Sequence, residues 1–208
     1  ELGLPLTVFR LRDEDEIAVL EMGISNFGEM HRLSKIARPD ICVMTNIGQC
    51  HLDFLGDRDG VLRAKSEIFD YIAEDGTIIL NGDDDKLATL HDVKGITPVF
   101  FGINSDRKIY ATNIHSLGLK GIACTICTEQ GDFDVTIPIP GYHMVYNALA
   151  GTAVGLSLGM TTEEIKRGIE KLESLSGRFH IIETGEYTVV DDCYNANPVS
   201  MKASLNVS

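Results

Sequence analysis

The sequence predicts an α/β fold, with a mostly parallel sheet, helices on both faces and a small antiparallel β insert. Short apolar runs alternate with segments in which apolar residues recur at helical spacing, as in strand–helix–strand units. Polar residues follow the apolar runs, and the carboxyl ends of parallel strands are where such sheets place their sites. Between residues 109 and 139 the pattern changes to short alternating stretches broken by glycine and proline, which indicates antiparallel strands.

The first half of the chain contains the predicted parallel strands. These strands are 17–20, 41–44, 77–80 and 98–101. One helix is predicted over 30–37, where apolar residues share a face and Pro39 ends the pattern. A second helix is predicted over about 59–73. The acidic string GDDD at 82–85 lacks the further ligands of a calcium loop, so we interpret it as a turn.

The second half returns to helices after the antiparallel stretches. The predicted elements are strands at 122–127, 133–137 and 187–190, and helices at 144–158, 162–172 and from Val199 onward. Thr161 or Thr162 precedes Glu164, a pattern that predicts a capped helix start with acids in its first turn.

Composition limits the class of protein. The 208 residues are 44% hydrophobic, which is enough to bury a core. A formal net charge of −13 argues against a nucleic-acid backbone or an anionic membrane as partner. No apolar stretch approaches the roughly 20 residues of a membrane helix, and no signal pattern opens the sequence, so we expect a cytoplasmic protein. Five scattered cysteines fit free thiols in a reducing compartment.

Five short motifs occur along the chain. They are EMG at 21–23, NIGQCHL at 46–52, AKSEIF at 64–69, GYHMVYN at 141–147 and DDCYNANP at 191–198. Their order and spacing resemble the central ATP-binding domain of the Mur ligase family. The last motif most resembles the branch that joins D-alanyl-D-alanine (D-Ala-D-Ala) to a UDP-muramoyl tripeptide. The resemblance covers nearly the whole chain and implies a P-loop-like Mur ligase middle domain.

The phosphate loop of such domains does not occur in the sequence. That loop, G-x-x-x-x-G-K-[ST], holds phosphates through backbone N–H groups and a lysine. No Gly-Lys dipeptide occurs among the 208 residues. The family carries the loop just before the segment that aligns with 1–7. We therefore expect residues 1–208 to be a central ATP-binding domain truncated at both ends, with 109–139 as its insert, and inactive alone.

Glu21, His51 and Lys65 are the candidate metal residues. Glu21 and His51 each follow a predicted strand, so a carboxylate and an imidazole could meet a divalent ion at one rim. A strand-end salt bridge and a loop hydrogen bond explain the same two residues. The resemblance makes them ligands of a second Mg²⁺ and makes Lys65 a carbamylated, catalytic lysine that gives oxygen to the metal. By itself, Lys65 is a solvated helix lysine or a phosphate-binding ammonium group.

His143 and Asn147 are candidates for nucleotide binding. They lie four residues apart at a predicted helix start and so share a face. The resemblance makes Asn147 a partner of the adenine ring, since a side-chain amide both donates and accepts hydrogen bonds. It makes His143 a brace for the loop. A helix-capping role is the plain alternative for Asn147.

The last motif and Arg178 complete the expected site. An aspartate at a strand end can accept both ribose hydroxyls, and we favour Asp192 for this role, with Asp191 as its rival and Asn195 as its neighbour. Asn195 or Asn197 could line the phosphate side or order the loop. Arg178 resembles the family arginine that neutralises charge on the transferring phosphoryl group, which is a catalytic role. Asx turns and a surface salt bridge are the structural alternatives.

The resemblance implies ATP- and Mg²⁺-dependent amide formation in peptidoglycan precursor synthesis. The expected partners are ATP, UDP-MurNAc-tripeptide and D-Ala-D-Ala, with the last two bound through flanking domains. Sibling ligases that add single amino acids, and folylpolyglutamate synthases, share the architecture and remain alternatives. A non-catalytic nucleotide-binding or scaffold module is the alternative of a different class.

Overall fold

A computed structural model of the chain describes residues 2–49, 51–196 and 198–205. The chain divides into two compact units, Glu1–Val99 and Phe100–Ser208. The helices are α1 (Gly3–Val8), α2 (Glu29–Ala37), α3 (Leu52–Leu55), α4 (Arg58–Ser66), α5 (His143–Ser157), α6 (Thr162–Ile169) and α7 (Pro198–Leu205). The strands are β1 (Ile41–Met44), β2 (Thr77–Asn81), β3 (Val99–Gly102), β4 (Ile109–Ser116), β5 (Ile122–Cys127), β6 (Phe133–Ile137), β7 (His180–Glu183) and β8 (Thr188–Asp191).

Six strands form one sheet in the order β1 to β6, and β7 pairs with β8 in a separate hairpin. Pairing is parallel between β1 and β2 and between β3 and β4. It is antiparallel from β4 to β5 and from β5 to β6. The predicted α/β class, with a parallel sheet and an antiparallel portion, is therefore confirmed.

The first unit is built on β1 and β2. Ile41 lies opposite Thr77 and Met44 lies opposite Leu80. The middle of β2 is fully buried, as expected of a strand covered on both faces. The predicted helix over 59–73 is an α-helix only as far as Ser66, and it continues as a 3₁₀-helix over Glu67–Tyr71.

Helix α2 is capped by a residue distant in the chain. Its N-cap is Gly28, which has no side chain to accept the first amides. The Glu67 carboxylate accepts from the Gly28 amide at 2.9 Å and from the His31 amide at 3.2 Å. Ser34 also donates to the Ile68 carbonyl at 2.6 Å. The 3₁₀ turn after α4 therefore holds both the start and the middle of α2.

In the second unit, α6 starts with a local cap, as the sequence predicts. Thr161 accepts from the Glu164 amide at 3.3 Å, and the Glu164 carboxylate accepts from the Thr161 amide at 2.9 Å. This reciprocal pair is a capping box. Cys124 and Cys127 are buried on β5 as free thiols, as the sequence predicts.

The strand predicted over 17–20 is wrong. Within the described residues no strand pairs with this run, and Ile17 and Val19 remain 60% and 90% exposed. The run gains neither ladder hydrogen bonds nor burial, which together make a strand stable. The sequence also did not predict α1, α3 and β7. No helix among the described residues is long and apolar enough to cross a membrane.

Candidate functional site

The loop after β1 is contacted by Lys65, one of the predicted site residues, and by a side chain of β2. Lys65, seven residues after the start of α4, donates from Nζ to the Asn46 carbonyl at 3.2 Å. The Asn81 side chain at the end of β2 donates to the Thr45 carbonyl at 2.9 Å. Side chains at the ends of β2 and α4 thus bind two backbone carbonyls of this loop.

His51 lies further along the same loop and is exposed. It is the N-cap of α3 and has a left-handed backbone, with φ of 59°. Histidine is among the few non-glycine residues enriched in this conformation, which is uncommon and concentrated at functional sites. His51 therefore presents an accessible imidazole from a defined loop position.

Glu21 does not lie at a strand end, because 17–20 is not a strand. It is exposed in an irregular segment of the same unit as His51 and Lys65. That segment is fixed at its far end by Glu29, whose carboxylate accepts from the Ser25 amide at 2.6 Å and the Asn26 amide at 3.2 Å. These contacts lower the pKa of Glu29 to about 2, the Ser25 amide most.

No group of three or more His, Cys, Asp or Glu side chains is arranged to hold a metal among the described residues. The predicted set contains only two such side chains, Glu21 and His51. Mg²⁺ commonly binds through one or two carboxylates, with water and substrate phosphates completing its shell. The exposed Glu21 carboxylate fits that pattern, and His51 fits it only as a minor nitrogen ligand.

In the second unit, Arg178 lies beside the final motif. Its guanidinium stacks on the ring of Tyr194 at 4.1 Å from the centroid. The Tyr194 amide donates to the Gly177 carbonyl at 3.1 Å, which joins the two turns. The sequence did not predict this stacking, although a Tyr inside the last motif was visible. The sequence offered a surface salt bridge as the alternative to a catalytic role for Arg178. The contact described for its guanidinium is the stacking on Tyr194 instead.

Asp191 and Asp192 both accept hydrogen bonds from the turn around Arg178. Asp191 accepts from the Gly177 amide at 3.0 Å, and Asp192 accepts from the Phe179 amide at 3.1 Å. The Cys193 thiol, and then the Gly177 amide, lower the pKa of Asp191. The two carboxylates hold the Arg178 turn in place, and each keeps further lone pairs for a ligand.

Asn195 and Asn147 make only local contacts. Asn195 accepts from the next amide, that of Ala196, at 2.8 Å. Asn147 is exposed on the first turns of α5 and donates to the Met144 sulfur at 3.4 Å. Asn197, the other asparagine of the motif, lies outside the described residues.

His143 begins α5 next to Gly141, which has φ of 109°. A Cβ at Gly141 would lie 2.5 Å from Cε1 of His143, so the glycine makes room for the imidazole. Desolvation lowers the pKa of His143, and the negative charge of Asp192 opposes that shift. The structure therefore brings His143, Asp192 and Arg178 to one region of the second unit.

Comparison with known proteins confirms the family resemblance that the sequence motifs indicate. Residues 1–155 match the model of the Mur ligase middle domain. The chain is 36% identical over its full length to UDP-N-acetylmuramoyl-tripeptide–D-alanyl-D-alanine ligase of Escherichia coli strain K12, covering 46% of it. It is 37% identical to the enzyme of the same name from Bacillus subtilis strain 168, covering 44%. The chain thus spans less than half the length of these relatives.

Solved structures show the same fold. MurF from Acinetobacter baumannii superposes with a TM-score of 0.92 at 36% identity, over 99% of this chain and 45% of that one. MurF from Thermotoga maritima, in complex with ADP, superposes with a TM-score of 0.84 at 28% identity, over 99% of this chain and 47% of that one. The match of 155 residues to the family model shows that this chain belongs to the Mur ligases through their middle domain.

Proposed function

We propose that this chain is the ATP-binding middle domain of a ligase that joins D-Ala-D-Ala to UDP-MurNAc-tripeptide in peptidoglycan precursor synthesis. The observation that carries the proposal is the full-length similarity to enzymes named for that reaction. The ADP complex of the Thermotoga maritima relative supports ATP as the nucleotide. Because ATP and UDP-sugars are made in the cytoplasm, we infer that the protein acts there.

The reaction proceeds in two steps. The substrate carboxylate attacks the γ-phosphoryl group of ATP, which forms an acyl phosphate and releases ADP. The amine of D-Ala-D-Ala then attacks the acyl carbon, and phosphate leaves from a tetrahedral intermediate. The first step brings two anions together, so the protein has to supply positive charge and in-line positioning.

When bound, Mg²⁺ would supply that charge as a Lewis acid. Glu21 and His51 are the residues of this chain that would hold it. Carbamylation of Lys65 joins its neutral amine to carbon dioxide, with loss of a proton, and converts a cation into an oxygen donor. The Asn46 carbonyl, which now accepts from the Lys65 ammonium group, orients that side chain in the loop.

Residues of the second unit are proposed to bind the nucleotide. Asn147 reads the adenine edge, Asp192 accepts the ribose hydroxyls, and Asn195 orders the turn beside it. His143 braces the loop that starts α5. Arg178, which Tyr194 holds by stacking, neutralises charge on the transferring phosphoryl group.

The test uses the full-length gene product, ATP and Mg²⁺, with UDP-MurNAc-tripeptide and a panel of amine substrates, and in a parallel assay with a folate and glutamate. Phosphate release with D-Ala-D-Ala but not with single amino acids or glutamate is expected. Ligation of a single amino acid, or of glutamate to a folate, would replace the proposal with a sibling ligase. Loss of Mg²⁺-dependent ATP binding in Asn147→Ala supports the ligase site. Unchanged binding in Glu21→Ala and His51→Ala would favour a non-catalytic nucleotide-binding module.

A further inference from the structure

The buried residue Ile47 is held on both sides of its backbone. It lies between Asn46 and the segment that carries His51, and it is only 2% exposed. Its amide donates to Oδ2 of Asp84 at 2.8 Å. Its carbonyl accepts from Nε of Arg58 at 2.9 Å. We call this set of contacts from Asp84 and Arg58 the Ile47 clasp.

Asp84 is rigidly placed for this role. Its side chain is 9% exposed, and its second oxygen accepts from the amides of Lys86 and Leu87, each at 3.0 Å. A buried carboxylate is stable only when its oxygens are paired in this way. The acidic turn after β2 therefore directs one fixed oxygen at the loop after β1.

Arg58 makes the other half of the clasp from the first residue of α4. Its two terminal nitrogens bind the Asp85 carboxylate at 3.0 and 2.5 Å, and one of them lies 3.7 Å from Asp84. Such a forked pair fixes the plane of the guanidinium and leaves Nε free to point at the Ile47 carbonyl.

The clasp closes the loop that contains His51. Ile47 and Arg58 are 11 residues apart, so their hydrogen bond joins the two ends of the segment 48–57. Within it, His51 has φ of 59° and Gly56 has φ of 83°. A left-handed histidine persists only where its surroundings hold it, and closing a loop reduces the number of conformations that its residues can adopt. Arg58 also begins the helix that carries Lys65, whose ammonium group binds the carbonyl just before Ile47.

We propose that Asp84 and Arg58 are positioning residues that act through the Ile47 backbone on His51 and Lys65. The inference rests on the proposed role of those two residues at the metal. It gives the acidic turn at 82–85 a function that its sequence does not suggest. Removing a group that orients a metal ligand lowers metal affinity by about 10–100-fold in known sites.

The experiment compares variants of the full-length gene product by hydrogen exchange without metal and by Mn²⁺ binding in electron paramagnetic resonance. Asp84→Asn keeps the shape but cannot accept from Ile47 and from the 86–87 amides at once. Arg58→Lys keeps the charge but loses the fork. Asp59→Asn is the matched control, since Asp59 bonds Lys86 between the same helix and turn without touching the loop. His51→Ala tests the metal role itself.

Asp84→Asn and Arg58→Lys are expected to speed exchange of the Ile47 amide and to weaken Mn²⁺ binding by about 10-fold, unlike the control. Faster exchange with unchanged Mn²⁺ affinity would show that the clasp only stabilises the loop, and would overturn the inference. Equal effects of Asp59→Asn on exchange and affinity would overturn it as well. Unchanged Mn²⁺ affinity in His51→Ala alone would overturn the proposed metal role of His51, and with it the positioning role. If His51→Ala weakens Mn²⁺ binding and Asp84→Asn does not, the metal role of His51 stands and only the positioning role is overturned.

Discussion

Two segments of the first unit carry proposed metal residues, and they are held in opposite ways. The loop with His51 buries Ile47 and Leu55, and side chains from α4 and the turn after β2 also bind its backbone. The segment with Glu21 is preceded by an apolar run, yet Ile17 and Val19 are exposed. The difference teaches that apolar residues alone do not fix a segment, and that contacts from neighbouring elements, both hydrogen bonds and burial, do.

The largest expected loss of stability comes from truncating Ile47, a buried residue of the His51 loop. Ile47→Ala removes a nearly fully buried side chain, and such truncations cost about 2–5 kcal/mol of the free energy of unfolding. Urea unfolding of the chain, followed by circular dichroism, measures the loss. Ile47→Val, as the conservative control, costs about 0.5–1.5 kcal/mol. A cost near zero for both would mean that Ile47 is not buried.

Gly60→Ala tests the entry to α4 from the same loop. A Cβ at Gly60 would lie 1.8 Å from the Leu55 carbonyl oxygen, so the backbone has to shift. Overpacking of this kind costs about 1–3 kcal/mol of stability in the same unfolding assay. Gly151→Ala is the control, because that helical glycine has open space around it and alanine favours helices. Equal stability of the two variants would contradict the close packing at Gly60.

Glu29→Gln tests the hydrogen bonds by which the Glu29 carboxylate holds the end of the Glu21 segment. The pKa of Glu29 is lowered from 4.5 to about 2, so its charged form stabilises the fold above pH 4.5. That contribution is lost as pH falls from 4.5 through 2. The variant is expected to show a flatter decline of stability over this range. Glu186→Gln, in the exposed β7–β8 hairpin, should leave the slope unchanged. If the stability of Glu29→Gln and of the unmodified chain declined in parallel as pH falls, the stabilising role of the Glu29 carboxylate would be refuted.

The smallest effect is expected in the apolar run itself. Ile17→Ala and Val19→Ala alter exposed side chains, and such changes usually stay within about 0.5 kcal/mol. The urea midpoint of both variants is expected to match that of the chain. A loss comparable with that of Ile47→Ala would show that the run is buried and would remove the contrast between the segments.

Local patterns in the sequence were enough for most of the fold. Residues 30–37 and 41–44, for example, form a helix and a strand as their apolar spacing predicts. The capped start of α6 followed from Thr161 and Glu164, which lie three residues apart. The run at 17–20 has the same apolar pattern as β1, so only the presence of a neighbouring strand could separate them.

The candidate site was less accessible to sequence reasoning, because its contacts join distant residues. The turn at 82–85 was predicted, but Asp84 meets Ile47 across 37 positions, and no local pattern reveals that pair. The stacking of Arg178 on Tyr194 likewise depends on how two turns meet. The roles assigned to Glu21, His51, Lys65 and Asn147 remain predictions that come from the family motifs.

The remote cap of α2 also affects the order of events as the chain folds. Helix α6 can form its first turn as soon as Glu164 is available, because both capping residues are its own. Helix α2 depends on Glu67, which lies 39 residues after Gly28, so its first turn frays until that later segment has been synthesised and docked. During synthesis on the ribosome, α2 and the Glu21 segment before it should therefore become protected from exchange only together with the turn after α4.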